Sequence, residues 1–164
     1  MIFFWVDVVG SFDCWSKDLS HKEFLKILKQ ARRNITRYHK KGILKGFIYE
    51  DGDNVKLGKI VRPIESVGVY IPGGKAVYPS SVLMNVIPAQ IAGVKNIYVA
   101  SPPDAQRRIN KYVLTACALL NVRKIFKMGG AQAIAAFAYG TETVPEVDKI
   151  IGPGNVYVSY AKKI

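Results

Sequence analysis

From Ser66 onward, short apolar runs alternate with stretches in which apolar residues recur every three or four positions. The short runs, at residues 67–71, 96–100, 123–128 and 147–151, read as β-strands. The longer stretches, at 79–92, 104–120, 131–139 and 155–163, read as helices. Their boundaries carry matching signals. Pro79 and Ser80 open the first helix and Gly93 closes it. Asp104 stands where the second would be capped, and Gly140 follows the third. Strands and helices alternating at this spacing imply β-α-β units, a parallel sheet and right-handed crossovers. The fold class is α/β, a parallel sheet with flanking helices.

The first 65 residues follow a different rhythm. Phe24, Leu28, Ala31, Ile35 and Tyr38 define one apolar face of a helix over 21–41. Ser20 and Glu23 have the spacing of a capping box. Lys40 and Lys41 occupy the last turn and Gly42 the position after it. His39, beside the apolar face, reads as a helix-end or packing histidine. Residues 47–49 and 54–57 are β-prone runs around the turn signal Asp51-Gly52-Asp53, which predicts a hairpin. Residues 2–6 read as a packed strand or a disordered leader, not a signal peptide. The expected organisation is therefore an N-terminal helix and β-hairpin at 1–65, then the α/β module at 66–164.

Composition narrows the class. The chain has 164 residues, 49% of them hydrophobic, enough for a packed core. No apolar stretch has bilayer-spanning length, so no membrane partner is expected. The two cysteines, Cys14 and Cys117, are too few and too far apart for a disulfide framework or a metal pair. Two reduced cysteines and no targeting segment point to the cytoplasm. The net charge of +12 suits nucleic acid or anionic metabolites. Residues 1–65 hold 13 Lys and Arg against 8 Asp and Glu, and the rest hold 11 against 4, so the excess reads as spread out. The pairs Arg32-Arg33, Lys40-Lys41 and Arg107-Arg108 each fit a solvated helix face, and no nucleic-acid partner is expected from them.

Three glycine-bearing turns carry the candidate chemistry: Pro72-Gly73-Gly74, Gly129-Gly130-Ala131-Gln132 and Gly152-Pro153-Gly154-Asn155. Each follows a strand and precedes a helix, so all three belong at the carboxyl edge of the sheet, where open α/β sheets bind ligands. Helix starts there offer unpaired N–H groups and a positive dipole end to a phosphate. Tyr70 ends its strand just before the first turn; its ring is placed to stack on a base and its hydroxyl to bond a ribose or phosphate. Gln132 starts a helix rich in small residues, where its amide faces either a ligand or solvent. Asn155 stands at an N-cap position, either capping its helix or reaching a ligand. None of the turns is a G-x-G-x-x-G or P-loop motif. The only histidines are His21 and His39, and there is no Ser-His-Asp set, Cys-His pair or metal-spaced cluster. A binding surface is legible, but a catalytic centre is not.

Longer stretches are more specific. Residues 67–74, Tyr78-Pro79-Ser80-Ser81-Val82-Leu83-Met84-Asn85, residues 129–135, Tyr139-Gly140-Thr141-Glu142 and residues 147–155 together closely resemble histidinol dehydrogenase. Residues 31–39 resemble that family's N-terminal helix, and the likeness covers about 24–164. The resemblance implies a Rossmann-like parallel sheet without the usual glycine fingerprint. It implies an oxidoreductase that converts L-histidinol to L-histidine in two NAD-linked steps, with zinc, as a homodimer. Its NAD contacts fall on Tyr70, Gln132 and Asn155. The family's zinc ligands and its catalytic glutamate–histidine pair have no counterpart here, so no catalytic or metal residue is assigned. The expectation is a fragment, inactive alone, with an exposed apolar patch at Val156, Tyr157 and Tyr160. The alternatives are a stand-alone basic binding module for nucleic acid or another anion, or one half of a split enzyme.

Overall fold

The computed structural model describes residues 5–6, 19–52, 54–73 and 77–163. Gly74 of the first turn, Asp53 of the hairpin turn and Cys14 lie outside them. Among the described residues, the strands are β1 (Trp5–Val6), β2 (Phe47–Asp51), β3 (Val55–Lys59), β4 (Ser66–Tyr70), β5 (Asn96–Ser101), β6 (Lys124–Lys127) and β7 (Lys149–Ile151). The helices are α1 (Leu19–Lys41), α2 (Pro79–Ile91), α3 (Lys111–Leu119), α4 (Gly130–Tyr139) and α5 (Val156–Ala161).

Five strands form one sheet in the order β1-β6-β5-β4-β7. β4 pairs with β5 and β7, and β5 with β6, all in parallel; β1 joins β6 antiparallel. Residues 5–6 of the N-terminal run are thus a strand. Val67, Val69, Val99 and Ile125 are buried, as central parallel strands require. One core cluster joins β4, β5 and β6 to α2 and α3, with Leu28 of α1 in it. The second lies under α4 and α5, around Phe126, Ile134, Phe137 and Val158. The helices thus cover both faces of the sheet.

The N-terminal segment departs from expectation in two ways. α1 begins at Leu19, so Ser20 lies within the helix rather than at its cap. Its packed face runs Phe24, Leu28, Ala31, Ile35 and then His39, which is half-buried. Tyr38 is 76% exposed, because it falls one position short of that 4-3-4-4 repeat. β2 and β3 form the expected hairpin, with every residue of both strands exposed.

The second helix of the α/β module is the main boundary correction. It begins at Lys111, not at Asp104, and Asn110 caps it by accepting from the N–H of Tyr112 at 2.9 Å. Asp104 closes a tight loop instead. Its carboxylate accepts from the N–H of Arg108, while Arg107 adopts a left-handed φ of 59° that no helix continues through. Asp is as good an acceptor for a turn as for a helix end, and here the turn takes it. None of the described helices is long and apolar enough to cross a membrane.

Candidate functional site

β4 sits between β5 and β7, so the order of winding reverses beside it. The chain crosses from β4 to β5 to β6 on one side and then returns to β7 on the other. The loops leaving the neighbouring strands β4 and β7 therefore lead to helices on opposite faces, and a crevice opens at the carboxyl ends of these strands. The glycine turns follow β4, β6 and β7 and lie at this edge.

Close backbone packing brings the turns together. A Cβ on Gly73 of the first turn would lie 2.5 Å from the carbonyl oxygen of Pro102, and one on Gly129 of the second would lie 2.6 Å from the ring of the same proline. Both turns thus lean on Pro102, just past the end of β5. The third turn leans on β4 itself. A Cβ on Gly152 would lie 2.0 Å from the carbonyl oxygen of Tyr70, and Gly152 has a φ of 107°, which glycine alone adopts readily. Lys162 Nζ donates to the Gly152 carbonyl at 2.5 Å, and partial burial there lowers its pKa.

Tyr70 links the first strand to the second turn. It is only 4% exposed, its ring packed in the cluster with Phe126 and Phe137 rather than open for stacking. Its hydroxyl accepts from the N–H of Gly130 at 3.2 Å. That bond occupies the first donor of α4. The next two, on Ala131 and Gln132, have no intrahelical acceptor, because the ladder begins with the N–H of Ala133 on Gly129. No acidic residue stands in the first turn of α4 to oppose an anion.

Gln132 is exposed, and its Oε1 lies over Gly130, 2.8 Å from where a Cβ there would be. Asn155 caps α5, with Oδ1 accepting from the N–H of Val158 at 3.1 Å. Its Nδ2 has no protein partner among the described residues. Tyr70 and Gln132 both adjoin Gly130, and Asn155 stands three residues from the Gly152 that packs on Tyr70. The structure therefore gathers the three sequence-derived residues at one edge, two through polar atoms at the surface and one through a buried ring. Sequence reasoning missed Pro102. Its role as a shared rest for two turns depends on contacts with residues 29 and 27 positions away, and no local signal carries that.

Among the described residues no group of three His, Cys, Asp or Glu side chains is arranged to hold a metal ion. His39 lies on α1, in edge contact with the Tyr38 ring at 5.3 Å between centroids. Cys117 is wholly buried in α3, and burial pushes its thiol far above the ordinary range.

Comparison with known proteins bears on the family and the fold. The histidinol dehydrogenase family model matches residues 14–164, ten residues further toward the N-terminus than the motifs alone reach. The chain is 54% identical over 140 residues to the histidinol dehydrogenase of Listeria innocua, covering 85% of this chain and 33% of that one. It is 53% identical over 147 residues to that of Streptococcus mutans, covering 90% and 34%. The crystal structure of histidinol dehydrogenase from Elizabethkingia anophelis superposes with a TM-score of 0.87 at 40% identity, over 99% of this chain and 37% of that one. The chain thus spans about a third of the length of the curated relatives it matches. With the family model covering nearly the whole sequence and the fold of a solved member reproduced, this chain belongs to the histidinol dehydrogenase family.

Proposed function

We propose that this chain carries the NAD-facing surface of a histidinol dehydrogenase and that Tyr70, Gln132 and Asn155 belong to that surface. The observation behind this reading is the gathering of three glycine turns at the switch point of the sheet, with two helix-start N–H groups, on Ala131 and Gln132, that have no intrahelical acceptor. NAD, when bound, would take hydride from the alcohol of L-histidinol, and a second NAD would take hydride from the hydrated aldehyde. The residues here bind and orient. The N–H groups of Ala131 and Gln132 and the positive end of α4 would hold a phosphate oxygen. The Gln132 amide and the free Nδ2 of Asn155 offer hydrogen bonds to ribose or phosphate. Tyr70 holds Gly130 in place through its hydroxyl, so that the first donor of α4 is spent on the protein and the next two on the ligand.

The zinc that the family implies finds no ligand set among the described residues, and no step of the chemistry is assigned to it on this chain. The intact enzyme is read as a homodimer acting on L-histidinol. Alone, this chain is expected to form no NADH from histidinol; measurable turnover would contradict that.

The binding reading is tested with Gln132→Ala, whose side chain is exposed and makes no recorded hydrogen bond to the protein. Calorimetric NAD affinity should fall about tenfold or more, with an unchanged melting temperature. Unaltered affinity would remove Gln132 from the surface.

A further inference from the structure

The peptide that opens the third turn has few anchors. It joins Gly152 to Pro153, and proline has no N–H, so its one polar group is the Gly152 carbonyl. Glycine brings no side chain to hold its own backbone. Packing against the Tyr70 carbonyl restrains Gly152 on the side of β4. On the other side Lys162 Nζ donates to the Gly152 carbonyl at 2.5 Å.

Lys162 is the C-cap of α5, and its own N–H bonds the Val158 carbonyl at 3.2 Å. Side chains on a helix lean toward its N-terminus, so the ammonium reaches back ten residues to where the turn begins. Among the described residues no carboxylate forms an ion pair with Lys162; the pairs there are Lys56–Glu50 and Arg108–Asp104. The rest of the turn is fixed to the same helix. A Cβ on Gly154 would run into the side chain of Val158, which is fully buried. Asn155 Oδ1 accepts from the Val158 N–H at 3.1 Å. Gly152 and Asn155 are thus both tied to α5, the first by a lysine and the second by its cap.

The cap spends the acceptor of the Asn155 amide. What Asn155 offers beyond its helix is the Nδ2 donor, which suits an oxygen of phosphate or ribose. A donor held in place in advance binds better than one that must first be ordered. Rotation of the Gly152–Pro153 peptide would carry the following residues with it.

We propose that Lys162 is a positioning residue for the dinucleotide: by holding the Gly152 carbonyl it fixes the course of the third turn, and with it the Asn155 donor. The proposal rests on the NAD reading of the glycine-turn edge.

The test is calorimetric NAD binding to the whole chain in a double-mutant cycle. Lys162→Met keeps the aliphatic stem and removes the ammonium. Asn155→Ser keeps a capping oxygen and removes Nδ2. Each should weaken NAD about fivefold. The combined variant should bind within about twofold of Asn155→Ser alone, because a residue acting through Asn155 adds little once the amide is gone. Lys162→Arg should stay within about twofold of the wild type, since a guanidinium also donates. Lys162 is exposed, so its variants should melt as the wild type does. Wild-type affinity in Lys162→Met overturns the proposal, as does an arginine variant as weak as the methionine one. Losses that multiply in the combined variant also overturn it, since Lys162 would then act without Asn155. So does a melting temperature that falls together with affinity in Lys162→Met, which would mark a purely structural role. A wild-type chain that binds no NAD defeats the NAD reading and the positioning role with it; the other outcomes leave that reading standing.

Discussion

Gly152 shows how much of the site rests on single residues. A side chain there would need a strained φ and would run into the Tyr70 carbonyl, so Gly152→Ala should cost on the order of 3 kcal/mol. Gly52, in the hairpin turn, has nothing within 4 Å of an added Cβ, and Gly52→Ala should stay within about 0.5 kcal/mol of the wild type. Urea unfolding of the two variants decides it; equal effects would mean that the third turn does not pack on β4. Tyr70→Phe removes the acceptor for the Gly130 N–H and should cost about 1 kcal/mol. The types and positions of these residues were legible in the sequence, because glycine before a helix and asparagine at a cap have local causes. The bond from Tyr70 to a residue 60 positions away was not. It exists because β4 and β6 end at the same edge of the sheet, and their order is a product of the whole fold.

Among the elements, β7 is held at its start by Asp148. Its Oδ2 accepts from the N–H and Oγ of Ser66 and from the N–H of Glu65, at 2.8, 3.0 and 3.0 Å. The backbone bond from Ser66, then its hydroxyl, hold this carboxyl below the ordinary range. A depressed folded pKa stabilises the protein above the unfolded value of about 3.9, and the contribution disappears as pH falls through the folded value. Chemical unfolding followed from pH 5 downward should therefore show the wild type losing stability more steeply below pH 4 than Asp148→Asn. Parallel curves would mean that Asp148 does not couple β7 to β4. The hairpin of β2 and β3 is the weak element, since a two-stranded ribbon with both faces exposed is marginal in water. Its amides should exchange with deuterium at least about tenfold faster than those of β4 and β5. Element type was readable from periodicity nearly throughout. The exception, the start of α3, turned on whether Asp104 or Asn110 capped it, and both residues are good acceptors.

For the molecule as a whole, the expected apolar patch is present: Val156, Tyr157 and Tyr160 are 57%, 70% and 65% exposed. The open hairpin adds Phe47, Ile48, Tyr49, Val55 and Leu57 to the exposed apolar side chains. The chain alone should bind a hydrophobic dye and associate with rising concentration in sedimentation velocity. A monodisperse, dye-silent monomer would contradict this. Strand order lay beyond local pattern, because it comes from how distant segments share one sheet. The central claim is that the glycine-turn edge binds NAD. NMR titration of the isotope-labelled chain with NAD tests it most directly. The account predicts saturable shifts concentrated at the amides of Gly130, Ala131, Gln132 and Asn155. No shifts at these amides up to millimolar NAD, or shifts confined to α1, would contradict it.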